Sequence, residues 1–142
     1  MKKKFNQVGN RKLFNKINVW IPTQKKFQDF KKECKELYES VQDKITDDSS
    51  FEFIINNTFF YLFEINGSLI GAIYYFIGSD GKCYLNGFAK RKMHSLCVEC
   101  LKKSLTWFKG RVYAEAQNRA SALCLLRCGF KRIKEKLFVI YN

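Results

Sequence analysis

From Arg111 to Tyr141 the chain reads as strand, short helix and strand, an order that restricts the folds open to it. Arg111-Val-Tyr-Ala-Glu-Ala-Gln117 is β-branched and aromatic, which suits a pleated, half-buried surface. Asn118 follows, a residue type whose side-chain oxygen accepts from the free N–H groups of a helix's first turn. The segment it opens is almost wholly apolar and stops at Gly129, which takes the left-handed conformation of a helix end without strain. Phe130 comes at once after it. The tail Lys131–Tyr141 reads as another strand, with a fold-back expected at Lys134-Glu-Lys136.

The upstream pattern completes the architecture. Ile17–Ile21 alternates as a short strand, and Pro22-Thr23 stops it and opens a helix with Thr23 as candidate N-cap. Phe27, Phe30, Cys34, Leu37, Tyr38, Val41 and Ile45 recur every three or four residues, the single apolar face of a long helix. Asp47-Asp-Ser-Ser50 ends it. Residues 51–57 read equally as a helical turn or a strand entry. Phe59–Ile65 and Leu69–Ile77 flank Asn66-Gly67, a pair suited to a turn with φ > 0 at both central residues. Ser79-Asp-Gly81 turns the chain into a third strand, Cys83–Ala89.

A striped helix follows from about His94 to Phe108, with Gly110 as its stop. An antiparallel meander leading into a β-α-β crossover implies a mixed, mostly antiparallel sheet with helices on both faces. The expected class is α/β in the broad sense (α+β): one domain over 17–142, preceded by a basic arm over 1–16.

The chain carries 26 Lys and Arg against 13 Asp and Glu, a net charge of +13. Met1–Lys35 is especially basic, opposed only by Asp29 and Glu33. Such an excess attracts polyanions, nucleic acid or an acidic protein, by counterion release; codon usage in an AT-rich genome produces the same excess of lysine. No apolar run reaches the ~18 residues of a membrane span, and no apolar stretch follows Met1-Lys-Lys-Lys4 as it does in a secretory signal. A cytoplasmic protein is expected.

The six cysteines are therefore expected to be reduced. Cys97-x-x-Cys100 and Cys124-x-x-x-Cys128 superficially match a zinc set. Both pairs lie on apolar helical stripes, where thiols pack as small hydrophobes, so no metal site is expected.

The unit Asn118 to Phe130, set behind a meander and a striped helix, resembles the closing half of GNAT-type N-acetyltransferases. The resemblance covers about residues 17–142. It implies acetyl-CoA as acyl donor and an amine as acceptor. It assigns the pantetheine arm of the donor to the backbone of the strand holding Tyr84, Leu85, Asn86, Gly87 and Phe88, whose N–H groups would also stabilise the oxyanion. The pyrophosphate falls at the start of the next helix, where free N–H groups and the helix dipole favour an anion; Lys90, Arg91, Lys92, His94 and Ser95 stand there.

Asn118 matches the family's cofactor-touching Asn, and Gly129-Phe130 matches its Gly-Phe. Two departures are plain. The loop over 90–96 has none of the family's glycines, and Leu125 stands where family members carry a tyrosine that protonates the leaving thiolate. A leucine donates no proton. Tyr113 and Tyr84 are the phenols left to serve, with Glu115 or Glu64 as possible bases.

The chain is also similar to small phage-encoded, degenerate members of the family. That similarity implies the alternative of a GNAT-fold binding or structural protein, in a virion or beside nucleic acid, with Phe5 and Phe14 as aromatics among the lysines of the arm. The basic surface as a whole leads us to expect an amine acceptor on an acidic partner.

Overall fold

The structure is a computed structural model and describes residues 16–45 and 47–142. The basic arm over 1–16, Phe5 and Phe14 included, falls outside them but for Lys16. The elements are β1 (Asn18–Trp20), α1 (Lys25–Val41), α2 (Phe51–Asn57), β2 (Phe59–Ile65), β3 (Ser68–Ile77) and β4 (Cys83–Ala89). A 3-10 segment (Arg91–Leu96) then leads into α3 (Cys97–Leu105), β5 (Arg111–Glu115), α4 (Arg119–Arg127), β6 (Lys131–Arg132) and β7 (Leu137–Tyr141).

The seven strands form one sheet in the order β1-β2-β3-β4-β5-β7-β6. Its single parallel pair is β4 with β5, joined through α3; the other pairs are antiparallel. The mixed, mostly antiparallel sheet is therefore as expected. The fold-back in the tail is also present, with β6 pairing against β7.

Residue chemistry accounts for the layers. The stripe on α1 buries Phe27, Phe30, Cys34 and Tyr38 against Phe60, Leu62, Tyr74 and Phe88 of the sheet, with Phe51 and Ile54 of α2 closing the cluster. Phe27 is fully buried, a side chain whose removal from water contributes about 1.5–3 kcal/mol. On the opposite face α3 supplies Leu101 and Leu105, and α4 supplies Ala122 and Leu125, against Tyr75, Val112, Ala114 and Phe138. Buried Ser104 within that layer is satisfied by the Tyr75 hydroxyl at 2.6 Å.

At the β2–β3 turn Asn66 and Gly67 have φ of 51° and 80°, the left-handed pair a tight hairpin demands. The register between these strands slips at Phe63/Glu64, so Ile70 is an extra residue, a β-bulge. Beside it Gly71 is obligatory: a Cβ there would meet Phe88 O at 2.1 Å and Ala89 Cα at 2.6 Å.

Four expectations need correction. The N-cap of α1 is Gln24, not Thr23. A turn closed by Gln24 N–H to Ile21 O at 3.0 Å, and by Ile21 N–H to Gln24 Oε1 at 2.7 Å, takes up Pro22 and Thr23. Residues 51–57 are helical because Ser50 Oγ accepts from Phe53 N and caps them. The striped segment begins as a 3-10 turn and becomes α-helical only at Cys97. Gly110 does not close that helix: its φ of +95° serves a later turn, where its N–H pairs with Asn142 O at 2.7 Å.

Candidate active site

The cleft is opened by a change in strand pairing. β4 and β5 run side by side only from Cys83–Leu85 opposite Val112–Ala114. Beyond Leu85, β4 stays bonded to β3 as far as Ala89, while β5 ends at Glu115. Lys90 N–H bonds Ile70 O on β3. Alternation along the strand therefore turns the backbone groups of Gly87 and Ala89 toward the edge that β5 has left. Gly87 N–H is held there by the Asn86 side-chain oxygen at 2.8 Å, a local contact that a ligand can replace. The cleft has a volume of about 1630 Å³. Ordinary small-molecule pockets hold about 300–1,000 Å³, so an extended donor and a second substrate fit together.

Strand alternation sorts the side chains between the two faces. Cys83 and Leu85 point to the α3–α4 layer. Tyr84, Asn86 and Phe88 point to the α1–α2 layer: Phe88 packs on Tyr38, and Tyr84 stacks on Phe76. On β5, Tyr113 meets Tyr84 with ring centroids 5.6 Å apart. Glu115, two residues on, shares that face and lies near enough to help raise the Tyr84 pKa.

The three catalytic candidates named from sequence thus stand together. They differ in what they can do. Tyr84 donates its hydroxyl proton to Asp80 at 2.6 Å, and this bond, with its slight burial and the nearby negative charge, pushes its pKa up to about 12. Tyr84 therefore keeps its proton at neutral pH. Tyr113 is buried at 6% exposure. Glu115 is exposed at the cleft wall, its Oε2 accepting from Gln117 Nε2 at 3.4 Å.

Glu64 is excluded as a base. It is buried at the β1–β2 edge of the sheet, away from the cleft, and three donors saturate it: Asn18 Nδ2, Trp20 Nε1 and Gly67 N–H.

On the donor side, Arg91, His94, Ser95 and Asn118 all line the cleft. Lys90 and Lys92 do not, and the Lys90 ammonium pairs with Glu33 of α1. Its charge is spent on holding α1 to the end of β4. Arg127, not singled out from sequence, joins the lining from α4. The 3-10 segment has no side-chain cap, and Met93 N–H closes back on Lys90 O at 2.9 Å. Asn118 Oδ1 accepts from Ser121 N at 2.9 Å and caps α4, while its Nδ2 makes no hydrogen bond with the described residues. Leu125 is buried at 5% exposure in the α3–α4 core. Among the described residues no group of three or more His, Cys, Asp or Glu is placed to hold a metal ion, and no helix is long and apolar enough to cross a membrane.

The loop between α1 and α2 borders the other half of the cleft, and sequence reasoning overlooked it. Tyr74 OH donates to Asp47 Oδ2 at 2.5 Å, Ser49 N–H to Asp47 Oδ1 at 2.9 Å, and Asn86 Nδ2 to Ile45 O at 3.2 Å. Tyr38 OH reaches Ser49 O at 2.5 Å. Buried hydroxyls on α1 and β3 thus tie this loop to the strand where the acyl group is expected. The signal was present in Asp47-Asp-Ser-Ser50, polar residues typical of a side-chain-bonded turn.

No family model matches the sequence, and no curated protein matches it by sequence. Solved structures do share its fold. An N-acetyltransferase from Staphylococcus aureus Mu50 matches at a TM-score of 0.65 and 15% identity, covering 89% of this chain and 97% of that one. The microcin C7 self-immunity acetyltransferase MccE, solved with acetyl-CoA and AMP, matches at 0.64 and 11% identity, over 92% of this chain and 95% of that one. The aminoglycoside acetyltransferase AAC(6')-Ib, solved with coenzyme A, matches at 0.62 and 11% identity, over 89% and 95% of the two chains. A further S. aureus Mu50 acetyltransferase, of the GNAT family, matches at 0.53 and 14% identity. The chain has the GNAT acetyltransferase fold, with its β4–β5 cleft intact.

Proposed function

We propose that the chain is an acetyl-CoA-dependent N-acyltransferase working in the cleft between β4 and β5. The observation that carries this reading is the parting of the two strands after Leu85 and Ala114, which leaves β4 backbone groups facing a large open cleft. Similarity to acetyltransferases solved with acetyl-CoA or coenzyme A supports it. The pantetheine amides of the donor would pair with β4 at Gly87 and Ala89, as an added strand does. Arg91 and Arg127, with the free N–H groups of the 3-10 turn, would offset the donor's phosphates. Asn118 Nδ2 is the further donor on this side.

The chemistry then needs a base and an oxyanion partner. Glu115 is the base this reading assigns, an exposed carboxylate on the acceptor face. It takes a proton from the acceptor ammonium, directly or through water, and the freed amine nitrogen attacks the thioester carbonyl carbon. Gly87 N–H faces the oxygen on which charge develops. The tetrahedral centre collapses, the C–S bond breaks, and the amide forms. Leu125 cannot protonate the leaving thiolate. A thiolate has an ordinary pKa near ~8.5, so water in the open cleft can return the proton without a dedicated acid. Tyr113 and Tyr84 form the wall that orients the acceptor.

A second reading is favoured by buried Leu125 and the glycine-free segment over 90–96: a binding or structural protein that keeps the fold, with its basic charge turned to nucleic acid or an acidic protein. Calorimetric titration with acetyl-CoA, paired with detection of free thiol in the presence of an amine, separates the two. The enzyme reading predicts micromolar binding and amine-dependent thiol release. No heat at millimolar acetyl-CoA would leave the second reading standing.

A further inference from the structure

The net charge of the chain and the charge of its cleft point to opposite partners. Cations outnumber carboxylates 26 to 13, yet carboxylates gather on the acceptor half of the cleft. Asp47 on the α1–α2 loop, Asp80 on the β3–β4 turn and Glu115 on β5 all line it. Glu39, Asp43 and Asp48 flank Asp47 in an adjoining hollow lined, besides them, only by Gln42. None of these six forms an ion pair with the described residues, although surplus lysine is everywhere on the chain. The cationic residues lining the cleft divide differently: Arg91 and Arg127 stand on the donor side, and Lys44 alone joins the acceptor side.

A second observation is independent of these carboxylates. Phe76, Tyr84 and Tyr113 make a continuous aromatic wall on the acceptor face, with centroids 5.9 Å and 5.6 Å apart along it. The chain's own Lys82 lays its ammonium over the Tyr113 ring, 5.0 Å from the centroid. An alkylammonium is thus already seated on this wall, close to Asp80. Aromatic faces attract such cations, the more so when water is partly excluded.

Building on the acyltransferase reading, we infer that the acceptor is a flexible polyamine-like cation bearing at least two ammonium groups. One nitrogen is acylated beside Glu115, while another is held between the aromatic wall and the carboxylates of Asp47 and Asp80. The single-charged amine of an acidic peptide gains nothing from the second subsite and is repelled by the hollow around Asp48. This reverses the expectation drawn from net charge.

The test uses spermine as the probe, titrated calorimetrically into the full chain, with propylamine and a Glu-rich peptide as comparisons and acetyl-CoA titrated separately. Spermine is expected to bind at least tenfold tighter than propylamine, and binding should weaken as salt is raised. Asp80→Asn and Asp48→Asn should each weaken spermine about two- to fivefold, the range for an exposed ion pair, and leave acetyl-CoA affinity unchanged. Glu135→Gln, away from the cleft, should change neither, which excludes general loss of charge. Lys82→Met should strengthen spermine binding by vacating the Tyr113 ring. If acetyl-CoA binds but spermine binds no better than propylamine, or the Glu-rich peptide binds best, the inference is overturned and the acyltransferase reading survives. If acetyl-CoA does not bind, the acyltransferase reading fails and the acceptor assignment falls with it, whatever spermine does.

Discussion

Asn118 is asked to do two things, and the structure lets them be separated. Its Oδ1 caps α4 through the 2.9 Å bond from Ser121 N, and its Nδ2 is the atom assigned to the acyl donor. Asn118→Ala removes both. Loss of an N-cap costs about 1 kcal/mol, which in a domain of this size lowers Tm by about 3–4 °C. The loss is confined to the first turn, because Ala122 and Leu125 anchor the rest of the nine-residue helix in the core.

Asn118→Ser keeps a capping oxygen and removes the amide donor. Its Tm should stay within about 1 °C of the parent. A hydrogen bond to a ligand contributes about 0.5–1.5 kcal/mol, so both variants should weaken acetyl-CoA about two- to tenfold. Thermal unfolding and calorimetry on the three proteins give the answer. If Asn118→Ser recovers both stability and affinity, the side chain acts as a cap alone and the donor contact is refuted.

Other consequences follow from single residues. Glu115→Gln should lower kcat for amine acylation about 10²- to 10⁴-fold, the usual worth of a positioned base, with acetyl-CoA affinity unchanged; an unchanged kcat removes Glu115 from the mechanism. Gly71→Ala should destabilise the fold by about 1–3 kcal/mol or more, as forced overpacking does, because its Cβ meets backbone at 2.1 Å; a denaturant midpoint equal to the parent's would contradict the β3–β4 approach. Burial pushes the Cys34 and Cys100 thiols up, whereas hydrogen bonding from Cys128 pulls Cys124 down. A lowered thiol carries more thiolate at a given pH, so alkylation near pH 8 should reach Cys124 first and slow in Cys128→Ala. Mass spectrometry finding Cys34 or Cys100 labelled first would overturn that order.

Local chemistry made much of the fold legible. Asn66-Gly67 announced the β2–β3 hairpin because two adjacent left-handed residues have few other uses. The α1 stripe announced its buried face because 3–4 spacing allows only one. What failed were features settled by distant partners. Thr23 lost the cap because Gln24 and Ile21 close a turn through both backbone and side chain. Lys90 looked like a phosphate ligand until α1 brought Glu33 against it.

Glu64 and Glu115 are indistinguishable as strand carboxylates. Register decides between them, placing one under three donors at the sheet edge and the other on the cleft wall. The acidic acceptor half was hidden for a related reason. Net charge sums over the chain, whereas the loop around Asp47 and the turn at Asp80 converge only after β3 and β4 pair.

The central claim is that the open edge of β4 receives the acyl donor, and amide NMR during titration with coenzyme A tests it most directly. The account predicts shifts concentrated at Leu85–Ala89, over 91–97 and over 118–121, with Gly87 moving most as its bond to Asn86 is replaced. Shifts that bypass β4, or no shifts at millimolar coenzyme A, would contradict it.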